Sequence, residues 1–246
     1  MTALRASGLH KAFGGVQAVA GVSFAIGRGE MLAMIGPNGA GKTTCFDLVG
    51  GQLRPDAGRV MLDGQDITGQ PPRALARRGV GRTFQITAVF ASMTVRENVQ
   101  VALQAHHRRF WRCWGAADAG FRDEAVALLA QVDMQTQADR AAGVLAYGDL
   151  KRLELAVALA AGPRLLLMDE PTAGMAPAER TALMALVRRL AHGRGLAVLF
   201  TEHDMDVVFG VADRILVLNR GHLIAEGDAA AIRADARVRA VYLGGP

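Results

Sequence analysis

Short apolar runs recur along this chain, with helical spacing between them. Met31–Ile35, Leu165–Met168, Ala197–Phe200 and Ile215–Leu218 are apolar without alternation. Such runs predict strands covered on both faces, as in a mostly parallel sheet. Val22, Phe24 and Ile26 instead alternate with small or polar residues, and Gly27-Arg28-Gly29-Glu30 reads as the turn before Met31. Val60–Leu62 is a further short strand, entered through Pro55–Gly58 and left at Asp63-Gly64. These two segments predict a small antiparallel sheet on the N-terminal side. Thr43–Val49 is compatible with a helix. Phe121, Ala125, Leu128, Leu129 and Val132 mark one apolar helix face, and Leu183, Val187 and Leu190 another. The alternation of strands and helices predicts an α/β core interrupted by a helical block over roughly residues 90–161. With no internal repeat and no low-complexity linker, residues 1–246 read as one domain.

Composition narrows this picture. A chain of 246 residues, 51% of them hydrophobic, can bury a substantial core and is not disordered. No apolar run approaches the ~20 residues of a membrane span. Met1–His10 has no apolar stretch of the secretory kind, so no signal peptide is expected. Cys45 and Cys113 form no disulfide or metal framework, and the expectation is a soluble protein of a reducing compartment. The net charge is +5, yet the 28 basic residues include only three lysines and are scattered, with local densities at Arg73–Arg82 and Arg108–Arg112. No nucleic-acid motif accompanies them, so no nucleic-acid partner is expected. An anionic lipid surface or a partner that tolerates basic charge stays open.

The chemistry concentrates where the first apolar strand ends. Gly36-Pro37-Asn38-Gly39-Ala40-Gly41-Lys42-Thr43-Thr44 fills the pattern G-x-x-x-x-G-K-[ST] at every fixed position, between a strand and a helix. Glycines let backbone N–H groups turn inward around phosphate oxygens, and the following helix starts with unpaired N–H groups. Lys42 adds an ammonium for the β- and γ-phosphates and Thr43 a hydroxyl for Mg²⁺. Cys45 sits behind Thr43 and Thr44, as a packing residue or as a thiol that bound nucleotide would shield. A second apolar strand ends in Asp169-Glu170-Pro171. Asp169 is placed to hold Mg²⁺ through water. Glu170, one residue on, points elsewhere and suits the water that attacks the γ-phosphate.

Together these motifs resemble the nucleotide-binding subunit of ABC transporters over nearly the whole chain. The resemblance implies a P-loop (RecA-like) ABC nucleotide-binding domain with a small antiparallel β-subdomain and an inserted helical subdomain, binding ATP and Mg²⁺ and hydrolysing ATP. It places Phe13 against adenine. It makes Gln85, in Gly81-Arg82-Thr83-Phe84-Gln85, the Q-loop glutamine that senses Mg²⁺ and water and faces the permease. His203 becomes the switch histidine at the γ-phosphate, and Ala173-Gly174-Met175-Ala176 the D-loop. Leu145-Ala146-Tyr147-Gly148-Asp149 stands where the signature LSGGQ belongs. Ala146 lacks the serine hydroxyl, Tyr147 replaces a glycine and Asp149 a glutamine, so backbone amides at the start of the next helix, read as Leu150–Ala161, carry most of the contact to a nucleotide on the opposite subunit.

Gly79–Gln85, Met93–Asn98, Leu145–Gly148, Glu202–Met205 and Val241–Gly244 resemble the LivG type of branched-chain amino-acid importers, which implies an importer for branched-chain amino acids or a related small polar solute. That resemblance implies membrane permease subunits, a second nucleotide-binding subunit (a LivF-like heterodimer partner, or a second copy), and indirectly a periplasmic binding protein. The location implied is cytoplasmic, peripheral on the inner face of the cell membrane. A soluble ABC ATPase without a permease, resembling iron–sulfur-cluster assembly ATPases, is the alternative. A nucleic-acid-acting ABC protein would bring a second nucleotide domain or zinc motifs. A small-molecule kinase would leave the signature and His203 unexplained. The segment His106–Trp114 is basic and aromatic. It reads as a surface against permease or lipid headgroups, or as aromatics packed on the helical block. His106, His107 and Cys113 are a weaker metal candidate, because neighbouring histidines on a helix point apart.

Overall fold

The computed structural model describes residues 1–83, 89–107 and 121–243. The chain opens with two long strands, β1 (Thr2–Phe13) and β2 (Val16–Gly27), paired antiparallel. After β3 (Met31–Ile35) and helix α1 (Lys42–Val49), β4 (Ala57–Leu62) returns to the free edge of β1 and β5 (Gln65–Asp66) follows it. The order β2-β1-β4-β5 is the antiparallel layer that the alternation predicts.

The second sheet has six strands in the order β10-β9-β3-β8-β7-β6. Its members are β3, β6 (Val80–Thr83), β7 (Leu165–Asp169), β8 (Ala197–Thr201), β9 (Arg214–Asn219) and β10 (His222–Gly227). Neighbours from β9 through β6 run parallel, and β10 alone is antiparallel at its edge. The central strands are covered on both faces, which is why β3 is apolar throughout and β7 and β8 are apolar up to their last residue. Met31, Ala33 and Ile35 of β3 face one buried cluster with Leu166, Val198, Phe200 and Val217, under the helices. Leu32 and Met34 face the other, with Leu165, Leu199, Phe46 of α1 and Leu4, Leu9 and Ile26 of the antiparallel layer.

Helices fill the interval between β6 and β7 among the described residues. They are α3 (Val95–His106), α4 (Arg122–Gln131) and α5 (Tyr147–Leu159), after the short α2 (Pro72–Arg77) ahead of β6. Thr94 starts α3 with a reciprocal cap: its hydroxyl accepts from the Glu97 N–H at 3.2 Å, and Glu97 accepts from the Thr94 N–H at 2.7 Å. Ala125, Leu128 and Leu129 of α4 are buried with Val132, as their spacing predicts. The helix expected over Leu150–Ala161 begins three residues earlier, because the backbone turns helical directly after Ala146. It ends two residues sooner, with Ala160 as its cap. The long α6 (Pro177–Arg194) links β7 to β8, and α7 (Met205–Val211) follows β8. Two short helices, α8 (Ala229–Ala234) and α9 (Ala236–Leu243), close the described chain against β10. Among the described residues no helix is long and apolar enough to cross a membrane. Of the basic aromatic segment, His106 and His107 are described; the rest of the candidate metal set, Cys113, lies outside the described residues. The His107 ring stacks on Phe121, centroids 5.0 Å apart.

Candidate functional site

The C-terminal ends of β3, β7 and β8 lie side by side, and every strong motif in the sequence emerges there. This is where a parallel sheet presents its loops and helix N-termini to a ligand. The loop after β3 curls around a cavity of about 300 Å³, lined by Ala18, residues 38–44, Glu170 and His203. Its tight curvature depends on Gly41, whose φ of 99° is left-handed and whose missing side chain lets the Ala18 carbonyl of β2 approach. Gly221, in the turn between β9 and β10, donates its N–H to the Ala40 carbonyl at 2.9 Å and braces the loop from the other side. Gly41 caps α1 without any side-chain bond, so the first N–H groups of that helix face the cavity.

Lys42 is buried and folds back over the loop. Its ammonium donates to the carbonyls of Gly36 at 2.6 Å and Pro37 at 3.0 Å. Burial lowers its pKa from the ordinary lysine value, and the nearby carboxylates of Glu170 and Asp169 pull partly the other way. Thr43 is exposed to the cavity. Cys45, by contrast, is fully buried in the apolar layer behind the loop and is absent from the cavity wall. Burial pushes its thiol up to about 12.

Asp169 ends β7 and is tied from two sides. The Thr201 hydroxyl of β8 donates to its Oδ1 at 2.6 Å, and Arg82 of β6 stands 3.9 Å from its Oδ2. Arg82 also pairs with Asp47 of α1 at 2.9 Å, so a cation crosses beneath the site. At Glu170 the backbone turns sharply, with φ 48°, a left-handed conformation that costs a non-glycine residue about 1 kcal/mol. The turn carries the carboxylate off the line of the strand to His203, whose Nε2 lies 2.7 Å from Glu170 Oε1. The Glu170 N–H is held by Thr201.

The structure thus gathers residues 38–44, Glu170 and His203 around one cavity, while Asp169, at the end of β7 beside Glu170, is not in its wall. Phe13 stands at the tip of the β1–β2 hairpin, 48% exposed, with the Lys11 ammonium 5.6 Å from its ring, and is not in the cavity wall. Gln85 lies outside the described residues. Ala146, Gly148 and Asp149 line a separate cavity of about 280 Å³ at the start of α5, together with Met175 and Glu179. There Asp149 accepts from Gln137 at 3.0 Å, and the half-exposed Tyr147 donates its hydroxyl to the Ala173 carbonyl at 3.1 Å. Thr201, Arg82 and Ala18 also build the site, though no sequence motif marks their roles. A polar residue ending an otherwise apolar strand, as Thr201 does, was the signal available.

Comparison with known proteins agrees with this geometry. A family model described as "ABC transporter" matches residues 19–173, and one described as "Branched-chain amino acid ATP-binding cassette transporter" matches residues 222–246. The chain is 41% identical to the high-affinity branched-chain amino acid transport ATP-binding protein BraF of Pseudomonas aeruginosa, over 98% of this chain and 97% of that protein. It is 38% identical to LivG of Escherichia coli, of the same description, with the same coverage. Among solved structures, the ADP conformation of MJ1267, an ATP-binding cassette of an ABC transporter, superposes with a TM-score of 0.87 at 32% identity, covering all of both chains. A post-hydrolysis dimer of the cassette MJ0796 bound to ADP and phosphate has a TM-score of 0.73 at 25% identity, covering 92% of this chain and 98% of that one.

Proposed function

From a chain that belongs to the ATP-binding proteins of ABC transporters, in the branched-chain amino-acid group, we infer an energy-coupling subunit whose cargo is a branched-chain amino acid. It binds ATP and hydrolyses it to ADP and phosphate in support of transport. The observation that carries the residue assignments is the 2.7 Å contact between Glu170 and His203 at the wall of the same cavity that the loop 38–44 encloses. An acid–histidine pair facing a phosphate cradle fits hydrolysis better than storage of a nucleotide.

In this reading, the N–H groups of residues 39–44 and the start of α1 receive the β-phosphate, and Lys42 leaves the Gly36 and Pro37 carbonyls for the β- and γ-phosphate oxygens. Glu170 orients and deprotonates the attacking water. His203 contacts the γ-phosphate and keeps Glu170 aimed. Phe13, exposed beside Lys11, offers a stacking face for adenine. The Thr43 hydroxyl and the Asp169 carboxylate are hard oxygen donors at the same strand and loop ends, a set suited to Mg²⁺. A Mg²⁺ held by these two groups would neutralise phosphate charge. Gln85 is assigned as coupling residue on its motif alone.

Ala146, Gly148 and Asp149 line a different cavity from the phosphate loop, and Tyr147 lines neither, so in one chain these residues do not meet its nucleotide. That separation supports a second nucleotide-binding subunit, whose ATP the start of α5 would face. Permease subunits, and through them a binding protein, complete the complex, and they hold this chain at the inner face of the membrane.

The test is Glu170→Gln, which keeps size and removes the base. ATP binding is expected to persist while turnover at this site falls by ~10²-fold or more. Undiminished hydrolysis removes Glu170 from the mechanism.

A further inference from the structure

The loop that carries Glu170 is gripped by a buried carboxylate to which the phosphate chemistry assigns no role. Glu202 directly follows β8 and is 5% exposed. Its Oε1 accepts two bonds from Thr172, one from the backbone N–H at 2.9 Å and one from the hydroxyl at 2.7 Å. Its Oε2 accepts from the N–H of His203 at 3.3 Å. Thr172 is itself buried, two residues beyond Glu170, and Ala173 closes the intervening turn by donating to the Glu170 carbonyl at 3.1 Å. One carboxylate therefore holds the two segments whose side chains meet in the 2.7 Å Glu170–His203 contact. Glu202 is not in the cavity wall, so it acts on these segments and not on the nucleotide.

A charged group at this depth is unfavourable unless both of its oxygens find hydrogen-bond donors. Glu202 meets that condition with three donors from two segments. Charge-assisted bonds are shorter and more directional than neutral ones, so the carboxylate holds two backbones in register more stiffly than an amide would. We propose that Glu202 is a positioning residue: by clamping Thr172 and the His203 N–H it sets the separation of Glu170 and His203 across the ends of β7 and β8. The proposal rests on the reading of Glu170 as the group that activates water.

The experiment uses the assembled transporter, with Glu170→Gln in this chain as the floor for its site. Thr172→Val preserves shape and removes only the hydroxyl, Thr172→Ser restores it, and Glu202→Gln removes the charge. Expected for Thr172→Val and Glu202→Gln is a fall in kcat of about tenfold, with KM for ATP within about twofold of the parent. Thr172→Ser returns kcat close to the parent, and binding of a fluorescent ATP analogue keeps its stoichiometry in all variants. If Glu170→Gln sits at the floor while Thr172→Val and Glu202→Gln hydrolyse like the parent, the clamp is overturned and the Glu170 reading stands. Losses of turnover that only track losses of nucleotide-binding protein also overturn it, since they mark general destabilisation. If Glu170→Gln itself hydrolyses like the parent, both readings fall together.

Discussion

Replacing Gly41 by alanine tests whether the phosphate loop is shaped by close backbone approach or only by glycine's freedom. Gly39 and Gly41 both have left-handed backbones, with φ 77° and 99°. A Cβ at Gly39 meets nothing within 4 Å, whereas one at Gly41 runs into the Ala18 carbonyl oxygen and comes within 3.5 Å of Gly221 Cα. Gly39→Ala therefore carries conformational strain alone, about 1–2 kcal/mol, offset by about 0.4–1 kcal/mol because alanine has less freedom to lose on folding. Gly41→Ala carries the same strain plus overpacking against backbone that cannot rotate away, about 1–3 kcal/mol more. The expected losses are about 1 kcal/mol for Gly39→Ala and about 3 kcal/mol for Gly41→Ala, measured by urea denaturation without nucleotide. For a chain of this size the difference corresponds to roughly 4–8 °C in Tm. MgATP should still raise the Tm of Gly39→Ala but do little for Gly41→Ala, whose loop is displaced. Equal destabilisation of the two variants would refute the reasoning, because only the Ala18 contact distinguishes them.

Other expectations follow from the groups around the site. Lys42 has a pKa depressed by burial, and phosphate oxygens would raise it; ATP affinity is therefore full below the free-state pKa and falls as pH rises through it, with proton uptake on binding. Calorimetric titration in buffers of different ionisation heat measures that uptake, and affinity that stays constant up to the ordinary lysine pKa of 10.5 contradicts it. Asp204 caps α7, accepting from the N–H groups of Asp206 at 3.0 Å and Val207 at 3.3 Å, and Arg180 adds an ion pair. The Val207 amide leads the effects that lower its pKa, so its contribution is present above the usual carboxyl range and lost as pH falls. Asp204→Ala should cost ~1 kcal/mol near neutral pH and progressively less in acid; a gap independent of pH argues against the cap. Cys45, buried and pushed up to about 12, should resist alkylation at pH 8 with or without MgATP and react only in denaturant. Rapid labelling of the folded protein, read by peptide mapping, contradicts its placement.

The sheet was legible because burial on both faces leaves a mark that needs no partner information: Met31–Ile35 and Leu165–Met168 are apolar throughout since alternate residues enter two different cores. The extent of β1 was not legible. Gly8, with φ 57°, and register shifts between Ala6 and Leu9 break its alternation, and its buried positions include small residues such as Ala3 and Ala6. The phosphate loop could be read residue by residue because its chemistry is local. Thr172, Thr201 and Glu202 escaped because their meaning is a meeting between β7 and β8, strands adjacent in space but separated by a whole helix in sequence. Cys45 shows the same limit in reverse: proximity to Thr43 along the chain suggested proximity to nucleotide, but a helix turns successive side chains about 100° apart, and this one points into the core.

The central claim is that this chain's ATP hydrolysis drives uptake of a branched-chain amino acid. The direct measurement is made in proteoliposomes containing the complete transporter and its binding protein, with ATP turnover and radiolabelled leucine uptake followed together. The account predicts that leucine accelerates hydrolysis and accumulates in the vesicles, and that Glu170→Gln in this chain abolishes accumulation while ATP still binds. Hydrolysis indifferent to leucine, isoleucine and valine, or leucine accumulation undiminished by Glu170→Gln, would contradict it.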